Sequence, residues 1–164
     1  ADQLGVDVEE ASDILMRFNT YAPFVRQMAD TVMRSATTRG YIKTLLGRRC
    51  HFDMWEPRQY GTGRPMKHKE AMHEYNGDIK RAFVYKALNK LIQGSAADMT
   101  KKAMLDCYNA SYRPLLQVHD ELVFSVSDKK EVEGIVKTME KAVLLEVPNK
   151  VDAEIGENWG DSMS

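Results

Sequence analysis

The sequence predicts an α+β fold in which helices pack on a small antiparallel β-sheet, and three observations support this prediction. Residues 8–39 and 129–145 carry apolar side chains at helical spacing. Residues 115–126 place β-branched and aromatic residues on both sides of a polar triplet at 119–121, which is typical of two strands joined by a tight turn. The chain of 164 residues is long enough to bury a hydrophobic core without disulfide bonds.

The first helical stretch is expected to run from Val8 to about Arg39. Pro23 should break or kink it near Tyr21, because proline lacks a backbone donor and restricts the residue before it. Gly40 is a natural end, because glycine readily adopts the left-handed conformation that closes a helix. The apolar positions of this stretch are Ile14, Leu15, Phe18, Val25, Met28, Val32 and Met33.

From Tyr41 to about Asn76 the apolar residues follow neither a helical nor a strand period. A short strand is predicted from Ile42 to Gly47, and the glycines and proline at 61–65 indicate a flexible loop. Residues 78–110 are expected to form one long helix with a bend near Gly94.

The C-terminal third is expected to contain the hairpin, a helix and one more strand. The helix should run from Lys129 to Leu145 and the strand from Val151 to Ile155, with Pro148 between them. The inward-facing positions of the helix are Val132, Ile135, Val136, Met139, Val143 and Leu144.

Composition points to a reducing compartment. Cys50 and Cys107 form neither a CxxC motif nor a disulfide framework. No apolar run approaches the length of a membrane span, and no signal peptide is visible. We therefore expect a cytoplasmic protein with no membrane partner.

The net charge of −1 hides an uneven distribution. Residues 26–69 carry ten Lys or Arg and only three Asp or Glu, whereas residues 114–164 carry five basic and eleven acidic residues. Clustered Lys and Arg can follow a phosphate backbone whatever the total charge. The basic middle therefore indicates nucleic-acid contact, although a solvated basic loop would have the same composition.

The polar triplet of the hairpin carries the strongest chemical signal. Asp120 and Glu121 are adjacent carboxylates, which repel each other. A divalent cation removes that repulsion, and oxygen ligands of this kind suit Mg²⁺. An ordinary solvated acidic turn is the other interpretation of the same residues.

Two further groups of polar residues suit nucleic acid. Asn89 and Gln93 are four positions apart, so on a helix they share one face, and their amide donors could reach the acceptors of the DNA minor groove. Arg48 and Arg49 follow Gly47 and offer fork-shaped donors for phosphate oxygens. From spacing alone, a polar helix stripe with small-residue packing is the other interpretation of the two amides, and a basic surface turn is the other interpretation of the two arginines.

Three ordered motifs together carry a family resemblance: KALNKLIQGSAAD at 86–98, QVHDE at 117–121 and GENW at 156–159. With these motifs the chain resembles the C-terminal part of a family A (DNA polymerase I-like) DNA polymerase, and the phage members in particular. The resemblance extends over nearly the whole chain. It implies template-directed DNA synthesis in a bacterium or a bacterial host cell.

The resemblance also implies roles for the hairpin. Asp120 matches the second metal-binding carboxylate of the family, Glu121 its auxiliary neighbour, and His119 the position beside the primer terminus. The implied reaction is nucleotidyl transfer with two Mg²⁺ ions, which activate the attacking oxygen and hold the leaving pyrophosphate. The other metal-binding carboxylate of the family lies upstream of the motifs present here.

The same resemblance implies DNA-binding residues. Asn89 and Gln93 match positions that contact the minor groove at the primer end, and Arg48 and Arg49 match a stretch near the duplex. Tyr85 stands where bacterial members often carry Arg, so it supplies no charge there. Its neighbour Lys86, or else Arg81, is a candidate to replace that charge.

The resemblance divides the chain into three parts. Residues 1–40 correspond to a helical segment between fingers and palm, residues 41–77 to a basic irregular segment, and residues 78–164 to the palm with its long helix, catalytic hairpin, C-terminal helix and strand. The implied partners are primer-template DNA, a deoxynucleoside triphosphate and an N-terminal polymerase portion, in cis or in trans. Without that portion we expect the chain to be inactive.

Two other classes of function stay open. A non-catalytic DNA-binding module with vestigial acids would bind duplex DNA without regard to Mg²⁺. A metal-dependent hydrolase would use Asp120, Glu121 and a histidine such as His119 or His51, but the sequence offers no spaced cluster of further ligands.

Overall fold

The computed structural model describes Gly5, residues 7–59, Gly61 and residues 63–161, and it confirms the α+β class. The residues at the beginning of the chain, 1–4 and 6, and Thr62 of the predicted loop lie outside this description. The helices are α1 (Val8–Tyr21), α2 (Pro23–Arg39), α3 (His68–Glu74), α4 (Ala87–Asn109) and α5 (Lys129–Lys141). The strands are β1 (Tyr41–Lys43), β2 (Arg49–His51), β3 (Met54–Pro57), β4 (Met66–Lys67), β5 (Ile79–Arg81), β6 (Pro114–Val118) and β7 (Glu121–Phe124).

The chain forms two compact units, residues 1–92 and residues 93–164. The described strands make three small antiparallel sheets, β1-β2 and β4-β3-β5 in the first unit and β6-β7 in the second. No helix among the described residues is both long and apolar enough to cross a membrane.

Both predicted breaks in the N-terminal helical stretch are confirmed. The stretch divides at Ala22, and Pro23 occupies the first turn of α2, where its missing N–H costs no hydrogen bond. Asp7 begins α1 by accepting a hydrogen bond from the Glu10 N–H at 2.8 Å. Gly40 ends α2 with φ of 75° and donates its N–H to the Ala36 carbonyl at 3.1 Å.

The core of the first unit lies between α2, the β1-β2 hairpin and the start of α4. Its fully buried members are Ala36, Ile42, Phe52 and Ala87. Arg81 joins several of these elements, since Nε donates to the Thr37 carbonyl at 3.1 Å and Nη1 donates to the Phe52 carbonyl at 2.9 Å.

Two predicted boundaries in this unit were wrong. The strand expected from Ile42 to Gly47 is β1, which ends at Lys43, and Leu45 and Leu46 are exposed in the turn that follows. The helix expected over residues 78–110 begins only at Ala87. The preceding residues pair as β5 with β3, because that pairing stabilises an extended backbone that the local sequence does not reveal.

The second unit contains the remainder of α4, the β6-β7 hairpin and α5. Asp128 caps α5 by accepting from the backbone N–H groups of Lys130 and Glu131 at 2.7 and 2.9 Å. Tyr112 packs directly on Gly134, where a Cβ would clash with the tyrosine hydroxyl. The tyrosine is therefore close to the α5 backbone.

The end of this unit departs from prediction. Helix α5 stops at Lys141 rather than Leu145, and Leu144 is 88% exposed rather than inward-facing. Residues 151–155 are described but do not form the expected strand. Ile155 is itself exposed, so the apolar alternation there does not correspond to a buried face.

Candidate catalytic hairpin and nucleic-acid interface

The hairpin predicted around residues 119–121 is confirmed. Strands β6 and β7 pair in antiparallel register, with Gln117 opposite Leu122 and Val118 opposite Glu121. His119 and Asp120 are the two residues of the connecting turn, and Glu121 is the first residue of β7. A two-residue connection brings the polar side chains to the end of the hairpin.

All three polar side chains at this end are exposed. His119 has a φ of 52°, in the left-handed region, where a residue with a Cβ is uncommon. The side-chain amide of Gln117 donates from Nε2 to the His119 carbonyl oxygen at 3.1 Å. The turn therefore combines a strained residue with a side chain that holds its carbonyl.

The carboxylates of this turn fit Mg²⁺ in their chemistry but do not complete a site. Asp120 and Glu121 supply oxygen ligands, which Mg²⁺ prefers. Within the part of the chain that the structure describes, no three His, Cys, Asp or Glu side chains form a group that could hold a metal ion.

The two amides on α4 are placed as the sequence predicted. Asn89 and Gln93 are four positions apart in one helix, and both side chains are exposed. Tyr85 and Lys86 lie in a 3-10 turn, Val84–Lys86, immediately before this helix. The Lys86 ammonium is 5.6 Å from the centroid of the Tyr85 ring and 5.1 Å from that of Phe83. A positive charge thus lies close to the Tyr85 ring.

A well-defined turn presents the two arginines of the first unit. Thr44 is buried and donates to the Arg48 carbonyl, from its N–H at 2.9 Å and from Oγ1 at 3.3 Å. Gly47 has a φ of 87° and donates its N–H to the Thr44 carbonyl at 2.9 Å. Both Arg48 and Arg49 are exposed at the end of this turn.

Arg49 is held by an aromatic ring across the sheet. Its guanidinium carbon lies 4.7 Å from the centroid of the Tyr41 ring. Arg49 also pairs directly opposite Lys43, and His51 directly opposite Tyr41. Successive strand residues face opposite sides, so these four side chains share the outer face while Ile42 is buried beneath.

Sequence reasoning missed Tyr41, Lys43 and His51 as companions of Arg49. The signal that could have found them is the alternation on either side of the turn at Gly47, since Lys43 and Arg49 fall on the same face only if the two segments pair as a hairpin. We call the outer-face residues Tyr41, Lys43, Arg49 and His51, together with Arg48, the cationic hairpin face.

A family model described as DNA polymerase family A matches residues 1–161. This chain belongs to DNA polymerase family A. It is 39% identical over 154 residues to a DNA-directed DNA polymerase of Pseudomonas phage M6, an alignment that covers 94% of this chain and 20% of the phage protein. It is 34% identical over 173 residues to DNA polymerase I of Geobacillus stearothermophilus, covering 99% of this chain and 18% of that protein.

A solved structure supports the same membership. The family A chain matches the POL domain of Pol1 from M. smegmatis, in complex with DNA primer-template and dNTP, with a TM-score of 0.73 and 31% identity. The match covers all of this chain and 28% of that one. This family A chain spans about a fifth of the length of the curated relatives that it matches.

Proposed function

We propose that this chain is the part of a template-directed DNA polymerase that supplies one metal-binding carboxylate and a set of primer-template contacts. The observation that carries this proposal is the exposed Asp120-Glu121 pair at the end of a tight hairpin, in a chain that belongs to DNA polymerase family A. The substrates would be primer-template DNA and a deoxynucleoside triphosphate. Such an enzyme would act in the cytoplasm of a bacterium or of a phage-infected host.

In this proposal Asp120 holds Mg²⁺, Glu121 assists from the start of β7, and His119 lies beside the primer terminus. Mg²⁺, when bound, lowers the pKa of the primer 3′-hydroxyl and stabilises the charge on the pyrophosphate leaving group. The carboxylate of Asp120 is acceptor-only when ionised, so its contribution would be to supply oxygen ligands to the metal rather than to donate a proton.

The remaining metal ligand and the nucleotide-binding helix would come from an N-terminal polymerase portion, in cis or in trans. This part of the proposal rests on the resemblance to family A polymerases, in which the other metal-binding carboxylate lies upstream of the motifs present here. We therefore infer that the 164 residues alone do not extend a primer. Several groups that stabilise developing charge would be absent together, and each alone is worth roughly 10²–10³ in rate.

Two surfaces would contact the DNA. The exposed amides of Asn89 and Gln93 suit base acceptors in the minor groove, where they would check pair geometry without reading sequence. The cationic hairpin face suits phosphates, since the cross-strand Lys43–Arg49 pair of like charges is unfavourable unless an anion lies nearby. Lys86, next to Tyr85, would supply the charge that a family arginine provides.

We assign the three parts of the chain accordingly. Residues 1–40 would connect the fingers to the palm, residues 41–77 would hold the duplex, and residues 78–164 would form the palm that carries the hairpin. The second candidate function is a non-catalytic DNA-binding module, and the specific observation in its favour is the exposed cationic hairpin face, which could bind phosphates without any metal. The hydrolase alternative has no ligand set among the described residues and is not proposed.

One variant pair tests the proposed function in a complete polymerase that contains this segment. Asp120→Ala should abolish nucleotide incorporation while leaving the Kd for primer-template DNA within about twofold, because the side chain binds metal rather than DNA. Glu121→Ala should be milder. Asp152→Ala is the matched control, since it removes an exposed carboxylate that is not part of the hairpin. Near-normal turnover by Asp120→Ala would support the binding module instead.

A further inference from the structure

We infer that Gln117 is a positioning residue for the proposed metal site. Its side-chain amide holds the carbonyl of His119 and thereby sets the direction of the Asp120 carboxylate. This inference rests on the proposed function, because the carboxylate needs a fixed direction only if it binds metal.

The hydrogen bond acts on the peptide group that leads into Asp120. Gln117 Nε2 lies 3.1 Å from the carbonyl oxygen of His119. That carbonyl and the backbone nitrogen of Asp120 belong to one planar peptide unit. Holding the oxygen therefore fixes the orientation of the plane from which the Asp120 side chain departs.

The conformation of the turn explains why such a bond is needed. His119 has a φ of 52°, which carries a steric cost for a residue with a Cβ. The net stabilisation from a neutral side-chain hydrogen bond is of the same order as that cost. Without the bond, the turn should sample other backbone conformations, and Asp120 would share in that motion.

The position of Gln117 near the end of β6 allows its side chain to reach the His119 carbonyl. Gln117 is the last but one residue of β6, and its side chain reaches forward to the carbonyl of the first turn residue, two positions on. Glutamine has the length to return to the carbonyl and an N–H to donate. A glutamate of the same size is acceptor-only when ionised, and methionine has no donor.

Backbone amide exchange in the complete polymerase, without metal or DNA, measures the effect on the turn directly. In Gln117→Met, a neutral side chain of similar size, amides of residues 118–121 should exchange roughly 2–12 times faster than in the wild type. Gln117→Glu should accelerate exchange of the same amides to a similar extent, because an ionised glutamate cannot donate the hydrogen bond. The control Ser125→Ala changes an exposed residue just beyond β7 and should leave this exchange unchanged.

The Mg²⁺ dependence of incorporation provides the second measurement. In Gln117→Met the Mg²⁺ concentration for half-maximal rate should rise several-fold, while the Kd for DNA and the melting temperature stay close to the wild type. Wild-type exchange and wild-type Mg²⁺ dependence in Gln117→Met would overturn the inference. If Asp120→Ala is inactive in the same assay, wild-type behaviour of Gln117→Met would overturn only the role of Gln117 and would leave the proposed function intact. If Asp120→Ala is active, the proposed function itself fails.

Discussion

Arg81 lies over the indole ring of Trp55, with its guanidinium carbon 4.5 Å from the ring centroid, and the two residues pair directly across β3 and β5. The same guanidinium donates to the carbonyls of Thr37 and Phe52. One side chain therefore connects the end of α2 to the sheet that follows the cationic hairpin face.

Replacing Arg81 should destabilise the first unit. Arg81→Ala removes two charge-assisted hydrogen bonds and one cation–π contact, so the free energy of unfolding should fall by about 2–4 kcal/mol in urea titrations. Arg17→Ala is the control, because its exposed pair with Asp13 is worth less than about 0.5 kcal/mol. An Arg81 variant as stable as the Arg17 variant would contradict this assignment.

Gly40→Ala tests the contact between helix end and arginine. A Cβ at Gly40 would lie 2.8 Å from the Arg81 guanidinium, which is too close. Alanine at this position would also have to adopt the left-handed φ of 75°, which is unfavourable for a residue with a Cβ. We expect a loss of about 2 kcal/mol or more, against about 1 kcal/mol for Gly47→Ala, whose Cβ meets no atom within 4 Å. When Arg81→Ala is already present, Gly40→Ala should lower the free energy of unfolding only as much as Gly47→Ala does. A double-mutant cycle of Gly40→Ala and Arg81→Ala measures this difference.

Replacing an arginine of the cationic hairpin face should lower both the affinity for DNA and the salt dependence of DNA binding. Arg48→Ala and Arg49→Ala should each weaken binding similarly for all duplex sequences. Each should also lower the slope of log Kd against log salt concentration by about one unit for each phosphate that the variant no longer binds. Lys150→Ala removes an exposed lysine from the acidic end of the chain and should leave the slope unchanged. Fluorescence anisotropy of the complete polymerase at several salt concentrations supplies these slopes.

Replacing Asn89 or Gln93 should change how well the polymerase discriminates matched from mismatched primer ends. Asn89→Ala and Gln93→Ala remove neutral donors, so they should barely alter the salt slope. They should change the ratio of extension rates from matched and mismatched primer ends, because a mispair displaces the acceptors that the amides contact. The same ratio in both variants as in the wild type would reduce Asn89 and Gln93 to an exposed polar stripe.

Cys107 should be unreactive in the folded protein. Burial raises the pKa of its thiol above the ordinary value of 9.0, and the nearby Asp106 charge adds to that increase. Iodoacetamide should modify the half-buried Cys50 first and Cys107 only on unfolding. Because the folded-state pKa is the higher one, the associated stability is complete below 9.0 and is lost as pH rises through the raised pKa. Cys107→Ala should flatten that decline in urea titrations at pH 8–10.

The hairpin and the N-terminal helices were predictable because their signals are local. A polar triplet between β-branched segments predicts a turn, and Pro23 and Gly40 affect only the backbone beside them. The start of α4 was not predictable in the same way, since β5 is extended only through its pairing with β3. Arg49 was predicted to bind phosphate from the sequence, and its contact with Tyr41 depends on a register that only the fold supplies.

The β6-β7 sheet affects how the isolated chain behaves at high concentration. In the described residues β6 pairs only with β7, so its other edge carries unpaired backbone groups. That strand also exposes Leu115 and Leu116, at 66% and 44%. An apolar edge strand is a template for pairing between molecules, so concentrated solutions of the isolated chain should form β-rich aggregates. The Leu115→Lys variant should form these aggregates later than the wild type.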